Sequence, residues 1–199
     1  MDPVETAHRW RHRLPHWEVK GKAHFITIRC HGSLPEPVCR KVAEIEKSLA
    51  ATEPRSEEYA RLQRQYFLTV EKYIDRGMGF APFHDDSACR ILMDSFGPLQ
   101  ASGWVLIESV VMPNHVHFIC LPETSALPMK EAIKQFKGRS ARLVNQRLGR
   151  SGRFWQEDWF DRWMRNEREL ARCIDYLRRN PVKAKLASDW KQYPWRHPR

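Results

Sequence analysis

The stretch VVMPNHVHFICLP, residues 110–122, decides how this chain is read. Apolar, β-branched runs over residues 104–111 and 115–121 flank Met112, Pro113 and Asn114, the pattern of two adjacent strands. Side chains alternate along a strand, so His115 and His117 fall on one face, about 6.6 Å apart at the usual rise, with Val116 on the other. Two imidazoles so spaced can ligate one divalent metal. The same H-x-H spacing also describes two ordinary polar side chains on a sheet face.

Outward from these strands, residues 22–30 (KAHFITIRC) predict a further strand, broken by the Gly and Pro of HGSLPEP. Residues 38–50 and 56–76 predict amphipathic helices, the second with Tyr59, Leu62, Tyr66 and Val70 at helical spacing and Gly77-Met78-Gly79 at its end. Asp85, Asp86 or Ser87 caps a helix through residue 95, stopped by Gly97-Pro98, so His84-Asp85-Asp86 reads as a cap and not a metal cluster. Residues 127–148 predict a long helix with Ile133, Phe136, Leu143 and Val144 on one stripe. FWQEDWFDRWMRN, residues 154–166, is ambiguous between strand and helix. Residues 167–179 predict a helix on Leu170, Cys173, Ile174 and Leu177, closed by Pro181. Residues 1–18, rich in His, Arg and Trp, read as an arm or loop. The alternation of strands and helices predicts an α+β fold with a layer of helices on one face of a sheet.

The 199 residues fit one domain, and 42% apolar with 11% aromatic residues suffices for a core. No run of 18 apolar residues exists and the charged first 17 residues do not resemble a secretory signal, so a cytoplasmic protein with no membrane partner is expected. Five cysteines without a C-x-x-C pair suggest reduced, mostly buried thiols. The net charge of +10 is local: residues 1–129 carry 15 basic and 16 acidic side chains, residues 130–199 carry 19 and 8. Such asymmetry suits a polyanion-binding surface, although a merely solvated basic face is the plainer account.

Tyr176 and Asn180 form a second candidate pair. Positions i and i+4 share one face of a helix, here at the edge of its apolar stripe. An edge tyrosine is commonly amphipathic packing, and Asn before Pro commonly a helix end. Joined to the histidines, the pair makes chemical sense. Two neutral imidazoles and an amide oxygen leave positions on a metal for a phosphate oxygen, and the metal acts on the phosphodiester as a Lewis acid. A tyrosine, weakly nucleophilic near its free pKa of about 10, then needs chiefly alignment.

VVMPNHVHFICLP, FWQEDWFDRWMRN and IDYLRRNPVKAKLASDWKQYPW, in that order, resemble the REP-associated tyrosine transposases, bacterial relatives of the single-tyrosine HUH transposases. The resemblance implies a ferredoxin-like antiparallel sheet with the HUH pair on a central strand and the nucleophile on a C-terminal helix. His115 and His117 match the metal ligands, Tyr176 the nucleophile, and Asn180 the position of a third polar ligand. It further implies Mg²⁺ or Mn²⁺, hairpin-forming single-stranded DNA as partner, and cleavage and rejoining through a 5′-phosphotyrosine. Residues 31–80 stand out as a helical insertion within a single 1–199 catalytic domain.

Lys130, Lys134, Lys137, Arg139 and Arg142 of the long helix, with Arg178, Arg179 and Lys183 near Tyr176, are candidate phosphate contacts. Phe154, Trp155, Trp159 and Trp163 read mostly as core. The length suggests that recognition and chemistry share one surface, on a monomer or a homodimer. A non-catalytic module for structured single strands and a nuclease using water are the competing readings.

Overall fold

In the computed structural model, which describes residues 5–11, 14–53 and 56–198, β5 (His115–Pro122) lies at the centre of a five-stranded sheet. It pairs on one side with β4 (Trp104–Met112) and on the other with β3 (His24–Arg29). Beyond these lie β7 (Arg196–His197) and β6 (Phe160–Trp163), giving the order β6-β3-β5-β4-β7 with every neighbour antiparallel. Without β7 this is the 4-1-3-2 order of a ferredoxin-like βαββαβ unit. The fold class expected from the sequence is the one found.

Alternation along the strands sorts the sheet into two faces. Ile26, Ile28, Val116 and Phe118 point back into the larger core, where α3 (Asp86–Asp94), α4 (Phe96–Ala101) and α5 (Met129–Arg147) pack through Leu92, Phe96, Met129, Ile133 and Phe136. Phe25, Val110, Met112 and Ile119 point forward onto α6 (Glu167–Lys183) through Leu177, Leu170 and Ile174. Helices therefore cover both faces, not the single face expected. The second layer arises because residues 167–183 carry an apolar stripe of their own, matched to apolar side chains on the front of β3, β4 and β5.

Between β3 and α3 run α1 (Glu36–Ala51) and α2 (Glu57–Ile74), joined through a core of Val38, Val42, Ile45, Leu49, Tyr59, Leu62, Tyr66 and Val70. Ser56 caps α2 by accepting from Tyr59 N at 3.0 Å. The segment leaves and rejoins the sheet at one place, where Phe80 N donates to Gly32 O at 3.2 Å. Gly79 makes that approach possible. Its φ is +73°, and a Cβ there would lie 2.2 Å from Gly32 O. Gly79→Ala is expected to destabilise the fold by the roughly 1–2 kcal/mol of a left-handed non-glycine residue plus the clash, read as a lower urea midpoint.

Three boundaries differ from expectation. Residues 6–19 form a hairpin, β1 (Thr6–Arg11) and β2 (Pro15–Val19), instead of an arm; residues 1–4 and 12–13 lie outside the described residues. Its anchor is polar: buried His16 bonds Asp158 at 2.7 Å and Asp161, and its ring packs in a three-ring cluster with Trp10 and Trp159. The helix expected through residue 95 ends at Asp94, but Gly97-Pro98 opens a second short helix, α4, because Pro98 falls in its first turn, where a missing N–H costs nothing. Pro181 lies inside α6, whose last turn is kept by Ala184 N donating to Asn180 O at 2.9 Å. The ambiguous 154–166 segment becomes a bridge at Trp155 and then β6, with Phe154, Trp155 and Trp159 buried. Asp85 caps α3, and all five cysteines are free.

Candidate active site

His115 and His117 stand on the front of the central strand, both with no exposed surface. His117 Nδ1 meets Thr27 Oγ1 of β3 at 2.8 Å. His115 Nδ1 meets Asn114 Oδ1 at 2.8 Å, while Asn114 Nδ2 donates to Met78 O at 2.9 Å. The second bond fixes which way the amide points. Its oxygen can only accept, so His115 Nδ1 carries the proton and Nε2 presents a lone pair. Burial, reinforced by the neighbouring His117, holds the His115 pKa well below its ordinary value, keeping the ring neutral.

Facing these rings are two carboxylates that sequence reading missed. Glu71 and Asp75 of the 31–80 segment, four residues apart, share one face at the end of α2. With His115 and His117 they form a group whose four ligand atoms all lie within 4.8 Å of one another. Glu71 Oε2 is 3.4 Å from His117 Nε2 and accepts a hydrogen bond from the Tyr176 hydroxyl. Lys183 Nζ reaches Asp75 Oδ2 at 2.6 Å, tying α6 to α2 a second time. Tyr176 packs edge-on against Phe25 and His117, and Phe67 of α2 touches both Tyr176 and Phe25. Asn180, one turn later, is almost fully buried.

The unsatisfied atoms converge. Nε2 of both histidines, Glu71 Oε1, Asp75 Oδ1 and Asn180 Nδ2 are all buried without a hydrogen-bond partner. Buried polar atoms are rarely left so, and the four residues that meet here, Glu71, Asp75, His115 and His117, point to something that binds there. Two imidazole nitrogens with two carboxylates suit a divalent cation, so the residues present fit a metal. Burial, and then the Glu71 and Asp75 charges, push the Tyr176 pKa up, so its hydroxyl stays protonated. Burial also raises that of Asp75, with Lys183 pulling it back.

The model of one known family, described as IS200-like transposases, matches residues 97–180. Residues 97–180 are an IS200-like transposase match. No curated protein matches the chain. Among solved structures, one described as the REP-associated tyrosine transposase bound to a REP hairpin aligns with TM-score 0.52 and 17% identity, over 96% of this chain and 81% of that one. That likeness is one of fold. The IS200-like segment holds His115, His117, Tyr176 and Asn180, while Glu71 and Asp75 lie outside it.

The basic residues expected to bind nucleic acid divide between the two faces. Lys130, Lys134, Arg139 and Arg142 are exposed on α5, behind the sheet and away from the histidines. Lys137 is tied down: its ammonium donates to Gln156 O and Glu157 O at 2.9 and 2.5 Å and lies over Trp159. Burial lowers its pKa to about 8. Arg178 forks onto buried Glu108, at 3.3 and 3.0 Å, and covers Trp190. Arg179 pairs with Asp175 at 2.7 Å, and Lys183 with Asp75. The α5 cations thus lie on the opposite face of the sheet from the two histidines. The apolar stripe of α5 takes its cations to the back of the sheet, while the IS200-like segment's histidines face forward. Among the described residues, no helix is long and apolar enough to cross a membrane.

Proposed function

We propose that this chain is a metal-dependent single-stranded DNA transposase that cleaves and rejoins hairpin-forming repeat DNA through a 5′-phosphotyrosine. The observation that carries the reading is the meeting of one tyrosine hydroxyl, two imidazole Nε2 atoms and two carboxylates in a buried cluster. The IS200-like match over residues 97–180, and a hairpin bound by the structural neighbour, support it.

In this reading Tyr176 Oη attacks the phosphorus, the P–O3′ bond breaks, and the strand is left with a free 3′-OH and a 5′ end on the tyrosine. Glu71 Oε2, already accepting from the phenol, is placed to take its proton as the new bond forms. Attack by another 3′-OH returns the tyrosine and rejoins the strands, so no nucleotide cofactor is required. His115, His117, Glu71 and Asp75 would hold Mg²⁺ or Mn²⁺, with the Asn180 amide beside them. When bound, the cation supplies Lewis-acid stabilisation of charge on the reacting phosphate. Thr27 and Asn114 orient the rings. Both histidines are fully buried, so a phosphate reaches them only when α2 parts from α6, opening the Tyr176–Glu71 and Lys183–Asp75 contacts. Residues 31–80 belong to this catalytic unit as its helical insertion. The cations of α5 would meet DNA distant from the cut.

The test is cleavage of hairpin-bearing single strands with Mn²⁺ by wild type, Tyr176→Phe and His117→Ala. Wild type is expected to give a denaturant-resistant protein–DNA adduct that both variants lack. Binding without cleavage by all three would favour a non-catalytic module, and cleavage surviving in Tyr176→Phe would favour hydrolysis by water.

A further inference from the structure

The front of the molecule has cations of its own. Lys41 of α1 with Arg61, Arg64 and Lys72 of α2 line an open groove, and no acidic side chain is among its lining residues. Arg61 forks onto Glu58 at 2.7 and 2.6 Å, while Leu68, 56% exposed, forms an apolar part of the groove wall. Helical phase connects this groove to the site. Arg64, Leu68, Glu71 and Asp75 follow one another at i, i+4, i+7 and i+11, a single stripe that begins in the groove and ends at the carboxylates.

More positive charge lies on β6 and on the chain from it into α6. Arg162 of β6 has Glu169 as its carboxylate partner. Burial, and then the like charges of Arg165, Arg172 and Arg64, hold its pKa below the ordinary value. Arg64, Arg162, Arg165 and Arg172 are all exposed. Arg172 precedes Tyr176 by four residues and so shares its face of α6. Like charges gathered this way repel one another in the free protein, and a polyanion laid across them removes that cost.

We infer that this track, from Lys41 and Lys72 over Arg64 to Arg165 and Arg172, carries the single strand flanking the phosphate that Tyr176 attacks. The inference rests on the strand-transfer reading and adds to it the route of the substrate. Phosphates along the strand meet the cations, and unpaired bases lie over Leu68 and the partly exposed Tyr73 ring.

Fluorescence anisotropy over a range of salt tests it, using a DNA hairpin with and without a single-stranded tail of about ten nucleotides, within the usual site size. The triple variant Arg64→Gln, Lys72→Gln, Arg172→Gln is expected to flatten the log–log salt slope for the tailed hairpin by about 2, at roughly 0.7 per lost contact. Its binding to the tail-less hairpin is expected to stay as in wild type. The charge-keeping Arg64→Lys, Arg172→Lys variant is expected to retain the wild-type slope, which a folding defect would not allow. An unchanged slope in the triple variant, or equal losses on both DNAs, overturns the track alone. Wild type that binds neither DNA overturns the strand-transfer reading beneath it.

Discussion

Glu71→Gln is expected to weaken Mn²⁺ binding more than tenfold in a chain that still folds. The carboxylate is almost fully buried, its Oε1 has no partner, and its group converges with Asp75, His115 and His117 within 4.8 Å. Gln keeps the size and can still accept from Tyr176, so the loss isolates the charge. His117→Ala removes a nitrogen donor outright and is expected to cost more than the ~10–100-fold typical of an outer-shell partner, and Thr27→Val about that much. Titration calorimetry reads all three. Thermal unfolding gives a second measure: at a hundredfold excess over Kd, cation binding stabilises the wild type by about 2.7 kcal/mol, and that gain should vanish in His117→Ala. Undiminished Mn²⁺ affinity in Glu71→Gln would return the site to the two histidines and Asn180 alone.

His16→Ala is expected to destabilise the fold by about 3–5 kcal/mol at pH 6, the usual result of leaving a buried charge without its partner. The imidazole bridges Asp158 and Asp161, and Asp158 also takes Leu14 N at 2.6 Å. Burial pulls the His16 pKa down, but Asp161 and Asp158 overcome it and lift the value to about 9. The folded state therefore holds the proton more tightly than the unfolded one. Against an unfolded value of 6.5, the difference is worth about 3 kcal/mol. That contribution is complete below pH 6.5 and is lost as the pH rises through about 9. Urea midpoints of the wild type should fall across this window, and the midpoints of His16→Ala should lack that component. A wild-type midpoint flat from pH 6 to 9.5 would contradict the assignment.

These two variants mark what could be seen in the sequence and what could not. That His115 and His117 share one face was legible because they sit two residues apart on a strand with a strict period of two. Tyr176 and Asn180 were legible because i and i+4 share a helix face. Glu71 was not. It directly follows Val70, the last residue of the helical stripe read from the sequence, where a carboxylate has every appearance of a solvated side chain. Its burial depends on Phe67 meeting Phe25 and Tyr176, contacts formed only once the insertion folds over the sheet. His16 failed for a related reason. A hairpin held by an imidazole and two aspartates about 145 residues away leaves no apolar alternation to count. The basic α5 was recognised as basic, but charge does not reveal which side of a sheet a helix will take.

The bond from Asn114 to the Met78 carbonyl has a consequence for how such chains can vary. The turn after α2 dictates the tautomer of a histidine 37 positions downstream, and α2 itself contributes two acids to the same cluster. Excising residues 31–80 would thus remove two acids of the cluster and release the tautomer of a histidine on the untouched strand. Length in this segment is a chemical variable, able to alter the charge around the two histidines without any change in β5 itself.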